Sequence, residues 1–337
     1  MLVYIVRRIL IAIPVLFAAS LFVFLMADTT GDPLLELQLA QPPVSEEVIA
    51  AEAERLYLDR SVPERYWLWV TGIGGNGDIG LLQGEWGPSV RSASYDIGAE
   101  IGSRLWVTLR LVTASLFLSI GFGILTGVIS ALRQYSKLDY GLTFIGFTLL
   151  AMPSFWVAAL LREAGVWINQ QRDGPNIFWT IGASSPDTRN FSNWELFTDA
   201  AGHLILPTLA LFLAGYAALS RYQRASMLEV MNSDYVRLAK AKGLRHGTVV
   251  RRHALRTALI PVTTLSLLLI AGTIDGAVLV ETVFQWQGLG TFLVESIQRR
   301  DSYAVMGFLM LSGILVIIAN LIADILYGVL DPRIRYE

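Results

Sequence analysis

Along the 337-residue chain, six long apolar runs alternate with polar segments. They cover 9–27, 111–132, 140–161, 204–220, 259–280 and 303–330, the fifth broken by Asp275 and the sixth by Asp324. About 20 helical residues cross about 30 Å of hydrocarbon, so each run predicts a transmembrane helix. A secretory signal core is about 7–15 apolar residues ahead of a cleavage site. The first run is longer and predicts a retained membrane helix. The pattern defines an all-α polytopic membrane protein with six transmembrane helices.

The longest polar segment, 28–104, has its own periodicity. Pro42, Pro43 and Ser45 precede a short helix with an apolar stripe at Ile49, Ala53 and Leu56. Pro63 opens a second helix through Tyr66, Trp67 and Trp69, which Gly72 stops. The tryptophans suit a membrane–water boundary. These features predict a layer lying on the membrane, not an independent domain. The resulting plan has a first transmembrane helix in 1–30, an extracytoplasmic segment 31–100, a five-helix core 101–330 and a cytoplasmic tail 331–337.

Composition supports the membrane reading. The chain is 54% hydrophobic and 16% charged, against about 25% charged in soluble domains. The net charge of −2 hides a segregation. Acidic residues concentrate between Asp28 and Glu100, basic ones in the loop 221–258. Arg7 and Arg8, the short loop 133–137, the loop 221–258 and the tail with Arg333 and Arg335 all fall on one side of the six spans. Lys/Arg bias makes that side cytoplasmic, both termini included. The segments 164–203 and 284–302 then face outward.

Catalytic and metal chemistry find little support. With no cysteine, disulfides and thiolate metal sites are excluded, and His203, His246 and His253 form no ligand-spaced cluster. The glycine-rich 72–80 lacks the Lys-Ser/Thr pair of a phosphate loop. Asp78 in a GxGD string and Asp96 in a YD pair resemble an intramembrane aspartyl protease, but both lie outside the spans and in reversed order. Neither HExxH nor GxSxG occurs. Asp275 is different. An acid at mid-span costs about 2.5–3.5 kcal/mol, so it needs a water-filled path or a partner. It reads either as a translocation-pathway acid or as a structural acid bonded to Arg110 or to a neighbouring subunit. Asp324, Asn320 and Glu281 read as packing or boundary residues. Pro153 and Pro207 interrupt spans three and four, and Gly121, Gly123 and Gly127 read as helix-packing positions.

The basic loop carries the sharpest local signal. Ser233 or Asn232 caps a short helix from Asp234 to Lys242. Asp234 suits its positive start and Lys242 its negative end. Gly243 ends it in the left-handed conformation. Tyr235, Leu238, Ala239 and Lys242 are placed on one face, and small Ala239 and Ala241 let another surface approach. Thr248 caps a second helix through Arg251 and Arg252 toward Pro261. A basic helix–glycine–helix also suits DNA, but confinement between two spans excludes nucleic acid.

The chain resembles the membrane-spanning subunits of bacterial binding-protein-dependent ATP-binding-cassette importers, above all the first permease of the dipeptide/oligopeptide/nickel branch. The strings that carry this run end to end: YIVRRIL, IPVLF, GDP at Gly31–Pro33, YLDRSVPERY, GDIG, RLWVTLRL, HLILPTLAL, SRYQRASMLEV, DYVRLAKAKGL, RHALRTALIP, VLVETVFQWQGLG and LDPRIR. In the family's EAA loop signature, Gly243 falls on the glycine and Ala239 on the second alanine. Arg237 and Leu238 replace the Glu and first Ala, and Arg256 stands where a later proline is usual. Asp275 occupies an expected glycine, and 164–203 is longer than usual.

The resemblance implies a type I importer permease fold, with Asp234, Tyr235, Leu238, Ala239, Lys240, Ala241, Lys242, Gly243 and Leu244 coupling to an ATPase. It implies a second homologous permease, two cassette ATPases (or one fused), an extracytoplasmic solute-binding protein and surrounding membrane lipid as partners. ATP and magnesium belong to the ATPases, so this chain is not an enzyme and carries no cofactor. The implied solute is a short peptide, with nickel, glutathione or oligosaccharide as alternatives. The rival class is a stand-alone secondary transporter or intramembrane enzyme. An ion-coupled carrier would show inverted repeats, and none is visible.

Overall fold

The computed structural model describes residues 2–29, 31–174 and 176–330, with side chains throughout except at 2–5, 28–29, 267, 271, 274–275 and 323–330. The side chains of Asp275 and Asp324, and the tail 331–337, lie outside the described residues. The helices are α1 (Leu2–Thr29), α2 (Leu35–Gln38), α3 (Glu46–Arg55), α4 (Val62–Thr71), α5 (Ile97–Leu132), α6 (Lys137–Ala151), α7 (Ser154–Gln170), α8 (Asn193–Met231), α9 (Asp234–Ala241), α10 (His246–Thr248), α11 (Leu255–Phe284), α12 (Leu289–Gln298) and α13 (Ser302–Leu330). A two-stranded antiparallel ribbon, β1 (Ile79–Gly80) with β2 (Glu85–Trp86), is the one departure from all-α among the described residues. Five helices are long and apolar enough to cross a membrane, or up to seven spans if each of two bent helix pairs counts as one. The six expected from the apolar runs lies between these.

Two compact units divide the chain, one of 108–286 with 318 onward, the other of 2–107 with 287–317. In the first, α8 packs against α11, α6 and α7. Gly123 and Gly127 of α5 explain the close approach of α8. A Cβ on Gly123 would meet Leu219 at 2.7 Å, and one on Gly127 would meet Gln223 at 2.6 Å. Gly121 meets nothing, so two of the three predicted packing glycines serve that role.

The third apolar run is not one straight span. It is α6 and α7, bent by 107°. Pro153 has no N–H to donate and pushes the residue before it out of the helical region. Met152 accordingly sits at φ −90°, ψ 129°. Pro207 lies within α8, which stays continuous. A Ser192–Glu195 capping box starts α8 eleven residues before the fourth run. At the other end α8 runs through Met231, so 221–231 is helix and not loop.

In the second unit the two predicted outer helices form as α3 and α4. Ser61 and Glu64 make a capping box, Pro63 sits in the first turn, and Gly72 at φ +69° ends α4. Glycine is required there twice over, because a Cβ would also lie 2.7 Å from the Ile79 carbonyl. Tyr66 packs edge-on to Phe17 and Phe24 of α1 at 5.7 and 5.4 Å. Trp69 is fully buried, and its indole N–H donates to the Trp86 carbonyl. Asp78 accepts from Tyr57 Oη at 2.6 Å, and Asp96 accepts from Ala99 N at the start of α5. Both are engaged locally, so the protease-like strings form no shared-proton dyad. Asp301 caps α13 through Ala304 N and also accepts from Ser89. Its burial pushes the carboxyl up from its ordinary range.

Candidate functional site

The site lies where α8 ends and α9 begins. Asn232 and Ser233 turn the chain, and Ser233 has the extended backbone of an N-cap. Its hydroxyl donates back to the Val230 carbonyl and does not cap α9. Helix α9 ends at Ala241, with Lys242 as its C-cap. Gly243 follows at φ +77°, its N–H donating to Lys240 O at 3.0 Å. A Cβ there would meet nothing within 4 Å. The backbone conformation, not crowding, calls for glycine.

Burial separates the two sides of α9. Val236 and Ala239 are buried with Ala131, Met227, Val249, Val250, Ala254 and Ala258 in one apolar cluster. Fully burying a valine side chain contributes about 1.5–3 kcal/mol, so this face fixes α9 to α5, α8 and the start of α11. The opposite side stays open: Tyr235 is 44% exposed, Leu238 57% and Leu244 40%. Lys240, Ala241 and Lys242 are exposed as well. Asp234 is exposed and pairs with Arg237. The single face predicted for Tyr235, Leu238, Ala239 and Lys242 is therefore split. Ala239 is small because it packs inward, and the others face solvent. The predicted Thr248 cap is also corrected. Arg245 holds the N-cap position of α10, and Thr248 is its last residue. A π-helical stretch, Val249–Ala254, follows before α11. Its wider turn brings Val249, Val250 and Ala254 all into the cluster.

Two arrangements were not legible in the sequence. One is a latch beside this cluster. Asp139, at the start of α6, is buried. It accepts a bidentate pair from Arg224 of α8, Nε at 2.7 Å and Nη2 at 2.8 Å. Tyr135 N and Ser130 Oγ also donate to it. The other is a strap formed by 177–185 in the segment between α7 and α8. Asn169 of α7 binds Phe178 O at 2.8 Å and accepts from Ile177 N at 3.0 Å. Gly182 N donates to Phe284 O of α11 at 2.9 Å, and Arg110 of α5 donates to Ala183 O at 2.7 Å. Asp199 of α8 accepts from Ser185 N at 2.9 Å and from its hydroxyl. Arg110 also lies 4.9 Å over the Trp286 ring.

A polytopic helical membrane protein with a short half-exposed helix between two long ones is the class these features define. Residues 123–336 match the family described as the binding-protein-dependent transport system inner membrane component. The chain is 37% identical over 334 residues to the oligopeptide transport system permease protein AppB of Bacillus subtilis, covering 99% of both chains. It is 36% identical over 345 residues to the di/tripeptide transport system permease protein DppB of Pseudomonas aeruginosa, covering 100% of both. Among solved structures, a chain of the MetNI methionine ABC transporter superposes with a TM-score of 0.54 at 16% identity, over 68% of this chain and 96% of that one. The last likeness concerns the fold alone. This protein belongs to the family of binding-protein-dependent transport system inner membrane components. It is a multi-pass inner membrane permease subunit and not itself an enzyme.

Proposed function

We propose that this chain forms half of the pathway of an ATP-driven importer for short peptides. The remainder comprises a second homologous permease, two cassette ATPases and an extracytoplasmic solute-binding protein. Two full-length relatives named for oligopeptide and di/tripeptide transport support the solute class. ATP and magnesium are held by the ATPases. The termini and the loop 221–258 are cytoplasmic, consistent with the Lys/Arg bias.

The coupling role rests on one observation: α9 is bolted down by Val236 and Ala239 while Tyr235, Leu238 and Leu244 stay uncovered. An ATPase groove receives that exposed side, flanked by Asp234, Lys240, Ala241, Lys242 and Gly243. ATP draws the two ATPases together and displaces α9. The apolar cluster passes this motion to α8 and α11, and the pathway changes the side on which it opens. ATP drives the change only through its differential affinity for the two states.

The test is Gly243→Asp. The new side chain meets no atom within 4 Å, but it also strains the left-handed backbone at φ +77°. Gly243→Asn, equally strained and uncharged, is therefore the control and is expected to keep more of the docking than Gly243→Asp. Gly243→Asp sets a carboxylate on the docking surface at the negative end of α9. Tagged chain from mild detergent is expected to bring down ATPase subunits and ATP hydrolysis. Gly243→Asp is expected to insert normally but lose both, along with peptide uptake. Unchanged uptake by Gly243→Asp would sink the docking role.

A further inference from the structure

We propose that the groove between α6 and α8 is a binding site for an anionic phospholipid, with Arg221 as the phosphate-binding group. The groove holds about 620 Å³ and is lined by Thr143, Phe147 and Leu150 of α6 and by Ala218, Arg221, Tyr222, Arg224 and Ala225 of α8. Its two cations are not equivalent. Arg224 is neutralised by the buried carboxylate of Asp139. Arg221 has no hydrogen bond or ion pair among the described residues, and its guanidinium lies 4.1 Å from the Phe147 ring centroid. Its aliphatic stem runs over Gly146, where a Cβ would come within 3.9 Å of Arg221 Cγ. Ring and stem thus hold a planar, five-donor cation in place with its charge unmatched.

Depth identifies the missing anion. The apolar run 204–220 ends at Arg221, which sets the guanidinium where hydrocarbon gives way to headgroups. At that level a basic side chain reaches the lipid phosphates, and basic pockets between membrane helices take them. Along the groove, Phe147, Leu150, Ala218 and Ala225 offer an apolar wall for an acyl chain. The hydroxyls of Thr143 and Tyr222 lie on the same lining. A water-soluble carboxylate would use the cation but leave the apolar wall unfilled. The proposal needs only the membrane setting, and does not depend on ATPase docking. If docking holds, the leaflet is the cytoplasmic one.

Native mass spectrometry of the tagged chain, with whichever subunits accompany it, tests this in detergent supplemented with equal parts phosphatidylglycerol and phosphatidylcholine. The wild-type chain is expected to retain phosphatidylglycerol selectively. Arg221→Gln is expected to lower that retention about tenfold, the worth of one charged phosphate contact. Arg172→Gln, the same charge change in an exposed outer segment, leaves retention unaltered. Should Arg221→Gln insert poorly, Arg221→Lys and Phe147→Leu are each expected to give intermediate retention. Equal phosphatidylglycerol retention by wild type and these variants overturns the proposal. So does unchanged lipid retention in Arg221→Gln together with impaired peptide uptake, which would assign the groove to the solute. Absence of ATPases from the sample bears on the coupling reading and leaves the lipid measurement intact.

Discussion

The α9 surface and the 177–185 strap are both polar stretches joining apolar runs, yet they are held in opposite ways. Helix α9 is anchored by apolar burial on one side and makes little polar contact with the rest of the chain. The strap is anchored by directed hydrogen bonds to α5, α7, α8 and α11. Apolar burial is non-directional, so α9 can shift with its cluster and keep most of its stabilisation. Hydrogen bonds weaken steeply with misalignment, so the strap favours one arrangement of its four helices. One region is suited to receive a push, the other to resist one.

The largest stability effect is expected beside α9. Asp139→Ala leaves the Arg224 guanidinium, Tyr135 N and the Ser130 hydroxyl without their acceptor. Because Arg224 is itself 27% exposed, the loss is about 3 kcal/mol, the low end for breaking a buried pair. Thermal unfolding of the detergent-solubilised chain would show a large fall in midpoint. A small fall would mean that water or lipid already shares the charge of Arg224.

An intermediate effect is expected at the strap. Asp199→Ala removes the acceptor for the half-buried Ser185 N and its hydroxyl, at about 1–2 kcal/mol, the lower part of the range for groups left unsatisfied. Hydrogen exchange should rise in the strap and stay unchanged in α9. Equal loosening of both would show that strap and α9 form one cooperative unit, anchored alike.

Much of this architecture is legible in the sequence because membrane insertion leaves long apolar runs. Pro63, Gly72 and Gly243 mark their helix ends for equally local reasons. What is not legible depends on distant partners. Asp139 and Arg224 stand 85 positions apart in the chain, and nothing between them announces their pairing. Asn169 and Asp199 look like ordinary residues of a polar segment. Pro153 was visible as an interruption, but the 107° turn it permits also depends on packing of α7 against α8 and α11. The inward side of α9 differs from the face that spacing predicts for a related reason. Helical spacing ranks faces only relative to one another, and the cluster that buries Val236 comes from three other segments.

Leu238→Ala is expected to give the smallest stability change and the most informative functional one. Leu238 is 57% exposed, and substitutions at such positions usually stay within about 0.5 kcal/mol. If α9 were only a connector, nothing else would change. If it seats in an ATPase groove, the leucine is a central apolar contact. Its truncation should then cost about 1–2 kcal/mol of association, roughly five- to thirtyfold in affinity. Titrating ATPase subunits against wild-type and variant chains in nanodiscs separates the outcomes. A shifted affinity with an unshifted unfolding midpoint assigns the exposed face of α9 to a partner. Unshifted affinity would return that face to the lipid headgroups.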